Sequence, residues 1–165
     1  MRITKDFVRM DDDRLLLLKA VEIATEGIRN GGGPFGAVVA REGKIIAEAY
    51  NQVTLKNDPT AHAEIQAIRQ AASFLKSYDL RECTLYSSCE PCPMCLGAIY
   101  WAGITKVVYA SDRNDAASAG FSDNIIYSEI MLDPSDRKIS FIRMAEKEGS
   151  KVFKRWNEFE EKTPY

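Results

Sequence analysis

Four side chains in two short segments carry chemistry that the rest of the sequence lacks. His62 and Glu64 lie two residues apart, and Cys92 and Cys95 lie three apart within Pro91-Cys92-Pro93-Met94-Cys95. Residues three apart on a helix face the same way, so the two sulfurs would point to one place. Near a helix start, the dipole and the free N–H groups favour thiolates, the form that binds metal. His62 falls in the predicted first turn of an earlier helix. With the two helix starts side by side, His62, Cys92 and Cys95 form a nitrogen and sulfur set that suits Zn²⁺. Three protein ligands leave a fourth position for water. Zinc brings the pKa of such a water to about 7. Glu64, not needed as a ligand, could take that proton and redeliver it. This is equipment for hydrolytic attack on an electron-poor carbon.

Other arrangements use the same residues. Cys89-Glu90-Pro91-Cys92 is also a C-x-x-C. A closed Cys₃His structural site with Cys89 as fourth ligand is the alternative, and it would leave Glu64 without a task. Cys89 reads better as a small buried residue and Cys83 as core. A redox pair is disfavoured by the His-x-Glu segment. His62 is the only histidine, so any triad or three-histidine site elsewhere is excluded or tied to it.

The elements that must position these residues alternate in type. Leu17, Ala20, Val21, Ala24 and Ile28 recur at helical spacing after the acidic run 11–13, and Gly31 to Gly33 end that helix. Phe35 to Ala40 and Ile45 to Tyr50 read as strands joined by a turn at 41–44, followed by polar loop over 51–58. Asp58-Pro59-Thr60 reads as a helix start, with Ile65, Ile68, Ala71, Ala72 and Leu75 as its buried stripe. A strand near 84–87, a helix over 92–102, a strand over 106–110, a polar excursion over 112–124, a last strand over 139–144 and a final helix bearing Val152, Phe153, Trp156 and Phe159 complete the pattern. A hairpin followed by alternating helices and strands predicts an α/β class with a layered, mixed sheet.

Bulk composition narrows the class. The chain has 165 residues, 45% hydrophobic and 28% charged, as expected of one ordinary domain with its own core. Net charge is −2, without the basic excess or block of a nucleic-acid binder. No apolar run approaches a membrane span, and residues 1–10 lack a signal-peptide stretch. The expected partner is a small molecule, and the expected compartment is the cytoplasm.

His-x-Glu followed by Pro-Cys-x-x-Cys resembles the zinc-binding motif of the cytidine and deoxycytidylate deaminase superfamily. The stretches GGPFGAVV, NDPTAHAEIQAIR, LYSSCEPCPMCLGAIYWA and DAASAGF, with terminal Tyr165, are similar to the bacterial guanine deaminase branch. The resemblance implies a three-layer α/β/α fold with a mixed sheet of about five strands, formed by residues 1–165 as one zinc-dependent domain. It implies one Zn²⁺ per chain on His62, Cys92 and Cys95, and deamination of guanine to xanthine and ammonia. Glu64 and Asp123 would be the proton carriers. Close relatives would carry another acid where Ser122 stands. Asn51, Phe35, Ala63, Trp101 and Tyr165 would bind the base. It further implies a homodimer in which the segment from about 150 to 165 is exchanged, so that Tyr165 covers the partner's pocket. Residues 1–10 match nothing in that pattern. A tRNA adenosine deaminase, which shares the motif and Asn51, is the first alternative. A cytosine or cytidine-type deaminase and a non-catalytic zinc module are the others. A tRNA enzyme needs a basic face, whereas Lys151, Lys154, Arg155 and Lys162 are offset by Glu158, Glu160 and Glu161.

Overall fold

The structure, a computed structural model, describes residues 5–164. Its elements in chain order are α1 (Lys5–Arg29), β1 (Gly36–Arg41), β2 (Lys44–Tyr50), α2 (Val53–Lys56), α3 (Ala63–Leu75), β3 (Cys83–Cys89), α4 (Pro93–Trp101), β4 (Lys106–Ser111), α5 (Arg113–Ser118), α6 (Asn124–Ile130) and α7 (Glu146–Glu158). The chain divides into two compact units, one ending at Asp123 and the other beginning at Asn124.

The first unit is built on a mixed sheet of order β2-β1-β3-β4. β1 pairs antiparallel with both β2 and β3, and β3 pairs parallel with β4. β1 is central, so both its faces are covered, and it reads as an unbroken apolar run. Ala37 and Val39 join a core with Ala63, Ala67 and Ala71 of α3, Leu85 of β3 and Ile99 of α4. Val38 and Ala40 face the other way, onto Leu16, Ala20 and Ile23 of α1. Helices on both faces of the sheet make the three layers that the resemblance implies. α1 lies close against the sheet: a Cβ on Gly36 would stand 2.2 Å from the Ala20 carbonyl oxygen. Tyr86 donates to Asp13 (2.6 Å) and Lys106 pairs with the same carboxylate (2.5 Å), fastening α1 to β3 and β4.

Three expectations are corrected. The sheet has four strands rather than about five, because the expected strand over 139–144 is irregular. A strand needs a ladder partner; this segment instead starts from ties to α6, where Lys138 N–H donates to Glu129 (2.7 Å). α3 starts at Ala63, not near Asp58. Asp58 turns its carboxylate onto the N–H and hydroxyl of Thr60 (2.8 and 2.7 Å) and closes a tight turn before the helix. The polar excursion over 112–124 contains α5, opened by a capping box between Asp112 and Asp115.

The second unit holds α6, a 3₁₀ turn at Pro134–Asp136 and α7. The Arg137 guanidinium lies 4.9 Å from the Phe141 ring centroid. Every buried residue among the described ones precedes this unit, the last being Ile104. Ile125, Ile126 and Ile130 of α6 and Val152, Phe153 and Trp156 of α7 are all exposed. Among the described residues no helix is long and apolar enough to cross a membrane.

Candidate active site

The two metal-ligand segments share one piece of local geometry. His62 is the N-cap of α3 and Cys92 the N-cap of α4, both with extended backbone. Neither side chain caps its own helix, so both are free to turn toward a common point. Cys95 follows in the first turn of α4, and Pro93 occupies a first-turn position where no N–H is required. The Nδ1 atom of His62 lies 3.6 Å from the sulfur of Cys92 and 3.6 Å from that of Cys95. A tetrahedral zinc with ordinary Zn–S and Zn–N bonds sets its nitrogen and sulfur ligands about 3.6 Å apart. The donor set and its spacing therefore fit zinc, with Nδ1 the nitrogen turned toward the two sulfurs.

Electrostatics agree with that fit. The Cys92 thiol is held down to about 4, first by the hydrogen bond it accepts from Cys95 and then by the one it accepts from His62, against the effect of burial. The same Cys92–Cys95 hydrogen bond, with burial, pushes the Cys95 thiol far up. The Cys92 partnership raises the His62 pKa, although burial lowers it. The surroundings of Cys92 thus favour its thiolate, the form that would bind a metal.

Glu64 is 5% exposed. Desolvation, the largest effect, raises its pKa. Its Oε1 accepts from the Ser87 hydroxyl (3.2 Å), and its Oε2 lies 3.5 Å from the Cys95 sulfur. A carboxylate at the edge of the ligand cluster, without being part of it, is placed to move protons. Cys89 is elsewhere: its thiol donates to the Asp112 carbonyl (3.4 Å), and burial pushes it up to about 11. Among the described residues, the only group of metal-binding side chains is His62, Cys92 and Cys95.

A second cluster stands at the open ends of β1 and β2. The Asn51 N–H donates to the Phe35 carbonyl (2.9 Å), and the Asn51 carbonyl accepts from the Gly33 N–H (3.2 Å). The Asn51 side-chain oxygen accepts from Val53 N–H (3.2 Å), which leaves the amide NH₂ as the outward donor. A Cβ on Gly33 would lie 3.0 Å from that oxygen, so a larger residue there would make the Asn51 side chain give way by a few tenths of an ångström. The Phe35 ring meets Phe121 edge to face, centroids 5.0 Å apart. Ala63 is fully buried at the first position of α3, between His62 and Glu64. Trp101 ends α4 and is 72% exposed. Asp123 is half-buried in the segment between α5 and α6, and Tyr165 lies outside the described residues. Sequence reasoning missed Ser87 and Gly33. Alternation along β3 places Ser87 on the α3 side of the sheet, which was the available signal.

An α/β/α layer, two adjoining helix N-caps bearing a His/Cys/Cys set, and a buried carboxylate beside them define a zinc-dependent hydrolytic deaminase. The chain belongs to the cytidine and deoxycytidylate deaminase family: residues 10–111 match its zinc-binding region. It is 52% identical over 150 residues to guanine deaminase of Bacillus subtilis, covering 90% of this chain and 96% of that protein. The X-ray structure of the Bacillus subtilis guanine deaminase superposes with a TM-score of 0.90 at 51% identity, over 92% of this chain and 98% of that one. A tRNA-specific adenosine deaminase of Buchnera aphidicola is 42% identical over 101 residues, covering 61% of this chain and 62% of its own length.

Proposed function

We propose that this protein is a cytoplasmic guanine deaminase, which converts guanine and water to xanthine and ammonia. The observation that carries the reading is the 52% identity to a guanine deaminase across 90% of the chain. The net charge of −2 supports a small base over a polyanionic tRNA.

When held by His62, Cys92 and Cys95, zinc supplies a Lewis acid that brings a water molecule's pKa to about 7. Glu64 accepts the proton of the attacking water and delivers it to the ring nitrogen beside the amino-bearing carbon. Asp123 carries a proton to the departing amine. Asn51 orients the base through its outward NH₂, and the face of Phe35, the buried Ala63 and Trp101 bound the ring. Burial raises the pKa of Glu64 above that of an ordinary carboxylate, which moves it in the direction that suits a group that must both take and give a proton.

The chain acts as one deaminase domain and works as a homodimer that exchanges its C-terminal segment from about residue 150. The exposed apolar residues of α6 and α7 support this, because they need a surface that their own unit does not supply. Tyr165 of one subunit covers the pocket of its partner and excludes water.

The test is ammonia release by the zinc-loaded protein from guanine, adenine, cytosine, cytidine, dCMP and a tRNA anticodon stem-loop. Guanine is the expected substrate. Editing of adenosine in the stem-loop with guanine untouched would overturn the reading.

A further inference from the structure

The hydroxyl of Ser87 is among the most deeply buried polar groups in the protein, 2% exposed at the third-last position of β3. Its neighbours across the ladder are Ala37 on β1 and Tyr109 on β4. On the α3 side of the sheet its surroundings are apolar, with Ala37 and Ala63 fully buried. A buried hydroxyl in such a place requires a partner. The one it has is Oε1 of Glu64, 3.2 Å away, reached across 23 residues of sequence.

The two oxygens of Glu64 are unequal. Oε1 is tied to the sheet through Ser87, and Oε2 faces the ligand cluster, 3.5 Å from Cys95. Cys95 donates there only while it keeps its proton, and a metal-bound cysteine has none. Ser87 and Glu64's own backbone N–H then still hold the carboxylate, and Ser87 is the side chain among them.

We propose that Ser87 is a positioning residue for catalysis: it anchors Oε1 of Glu64 so that Oε2 alone is presented for proton transfer. This rests on the reading of Glu64 as the proton carrier. A carboxylate without this anchor keeps only its own backbone N–H, which does not tie it to the sheet, and it can turn about its last bond and offer either oxygen, or neither, at the reacting atoms. Small displacements of a general base are costly, because proton transfer needs hydrogen-bond reach. The base itself is bound by other groups, so the effect falls on turnover rather than on substrate affinity.

The experiment compares Ser87→Ala, Ser87→Thr, Ser87→Cys and Glu64→Gln, each zinc-loaded and assayed with guanine. Ser87→Ala should keep one zinc per chain, hold KM within about twofold, and lose kcat by about tenfold to a hundredfold, as for a hydrogen bond to a charged group. Ser87→Thr keeps the hydroxyl and should recover most of kcat. Ser87→Cys, near in volume but a weak donor, should show the same kcat loss and serves in place of alanine if that variant does not fold. A kcat within twofold of the parent for alanine or cysteine, with Glu64→Gln inactive, overturns the proposal and leaves Glu64's role standing. The same holds if threonine is as slow as alanine, or if KM and kcat fall away together with zinc content. An active Glu64→Gln instead overturns the reading of Glu64 itself.

Discussion

Replacing Glu64 with glutamine isolates proton transfer from everything else the residue does. Glutamine has nearly the same volume, and its side-chain oxygen can still accept from Ser87, now 3.2 Å from Oε1. What it cannot do is carry a proton. The mechanism asks Glu64 for two transfers, from the attacking water and to the ring nitrogen. Each general acid–base contribution is worth about 10²–10⁴-fold. Even at the lower bound the two compound to a loss of about 10⁴ in kcat, or about 5.5 kcal/mol of barrier. KM for guanine and zinc content should stay close to the parent's. Single-turnover ammonia release at high enzyme concentration measures the residual rate. Stability provides an independent readout. Burial raises the Glu64 pKa above its ordinary value of 4.5, so charging the residue opposes folding. Its penalty is absent well below that value and grows as pH rises until the folded-state pKa is passed. The glutamine variant lacks this slope. With both proteins metal-free, its melting temperature relative to the parent should therefore rise from about pH 4.5 upward and then level off. A kcat within tenfold of the parent would refute the assignment of Glu64, and a pH-independent melting difference would refute the desolvation argument.

Cys89→Ser should retain zinc and activity, because its thiol faces Asp112 rather than His62, whereas Cys95→Ser should lose both by metal analysis and ammonia assay. Gly33→Ala would set a Cβ 3.0 Å from the Asn51 side-chain oxygen, so KM for guanine should rise about tenfold with little change in kcat, toward the value for Asn51→Ala. Deleting residues 163–165 should sharply reduce guanine turnover while zinc content and the melting transition persist. A truncated protein with full activity, or a monomer at micromolar concentration by sedimentation, would show that the tail takes no part in the site.

The ligand set was legible because zinc chemistry restricts both residue type and spacing. His62, Cys92 and Cys95 announce themselves, and Glu64 follows from its distance to His62. The central strand was legible too, since Ala37 to Ala40 is apolar on both faces. The helix start at Ala63 was misplaced because Asp58 can cap a helix or close a turn, and only the tertiary setting decides between them. The segment 139–144 has strand-like residues but no ladder partner, and pairing is not a local property. Ser87 and Gly33 stayed hidden for a related reason. Their importance lies in which side chain they meet, Glu64 and Asn51, across 23 and 18 residues of chain.

The end of burial at Ile104 has a consequence for biosynthesis. Both cores, all three zinc ligands and Glu64 belong to residues that leave the ribosome first. At roughly 5–20 residues per second, residues 105–165 take on the order of several seconds more to appear. The metal site can close and the sheet can pack before the apolar helices α6 and α7 exist. Those helices then emerge as late additions whose apolar residues their own unit leaves exposed. Folding of the body is a first-order event, but subunit assembly depends on concentration. In the proposed homodimer, the slow step to active enzyme at low expression is the encounter of two chains, and the interval before it is when the new helices are most open to chaperones and proteases.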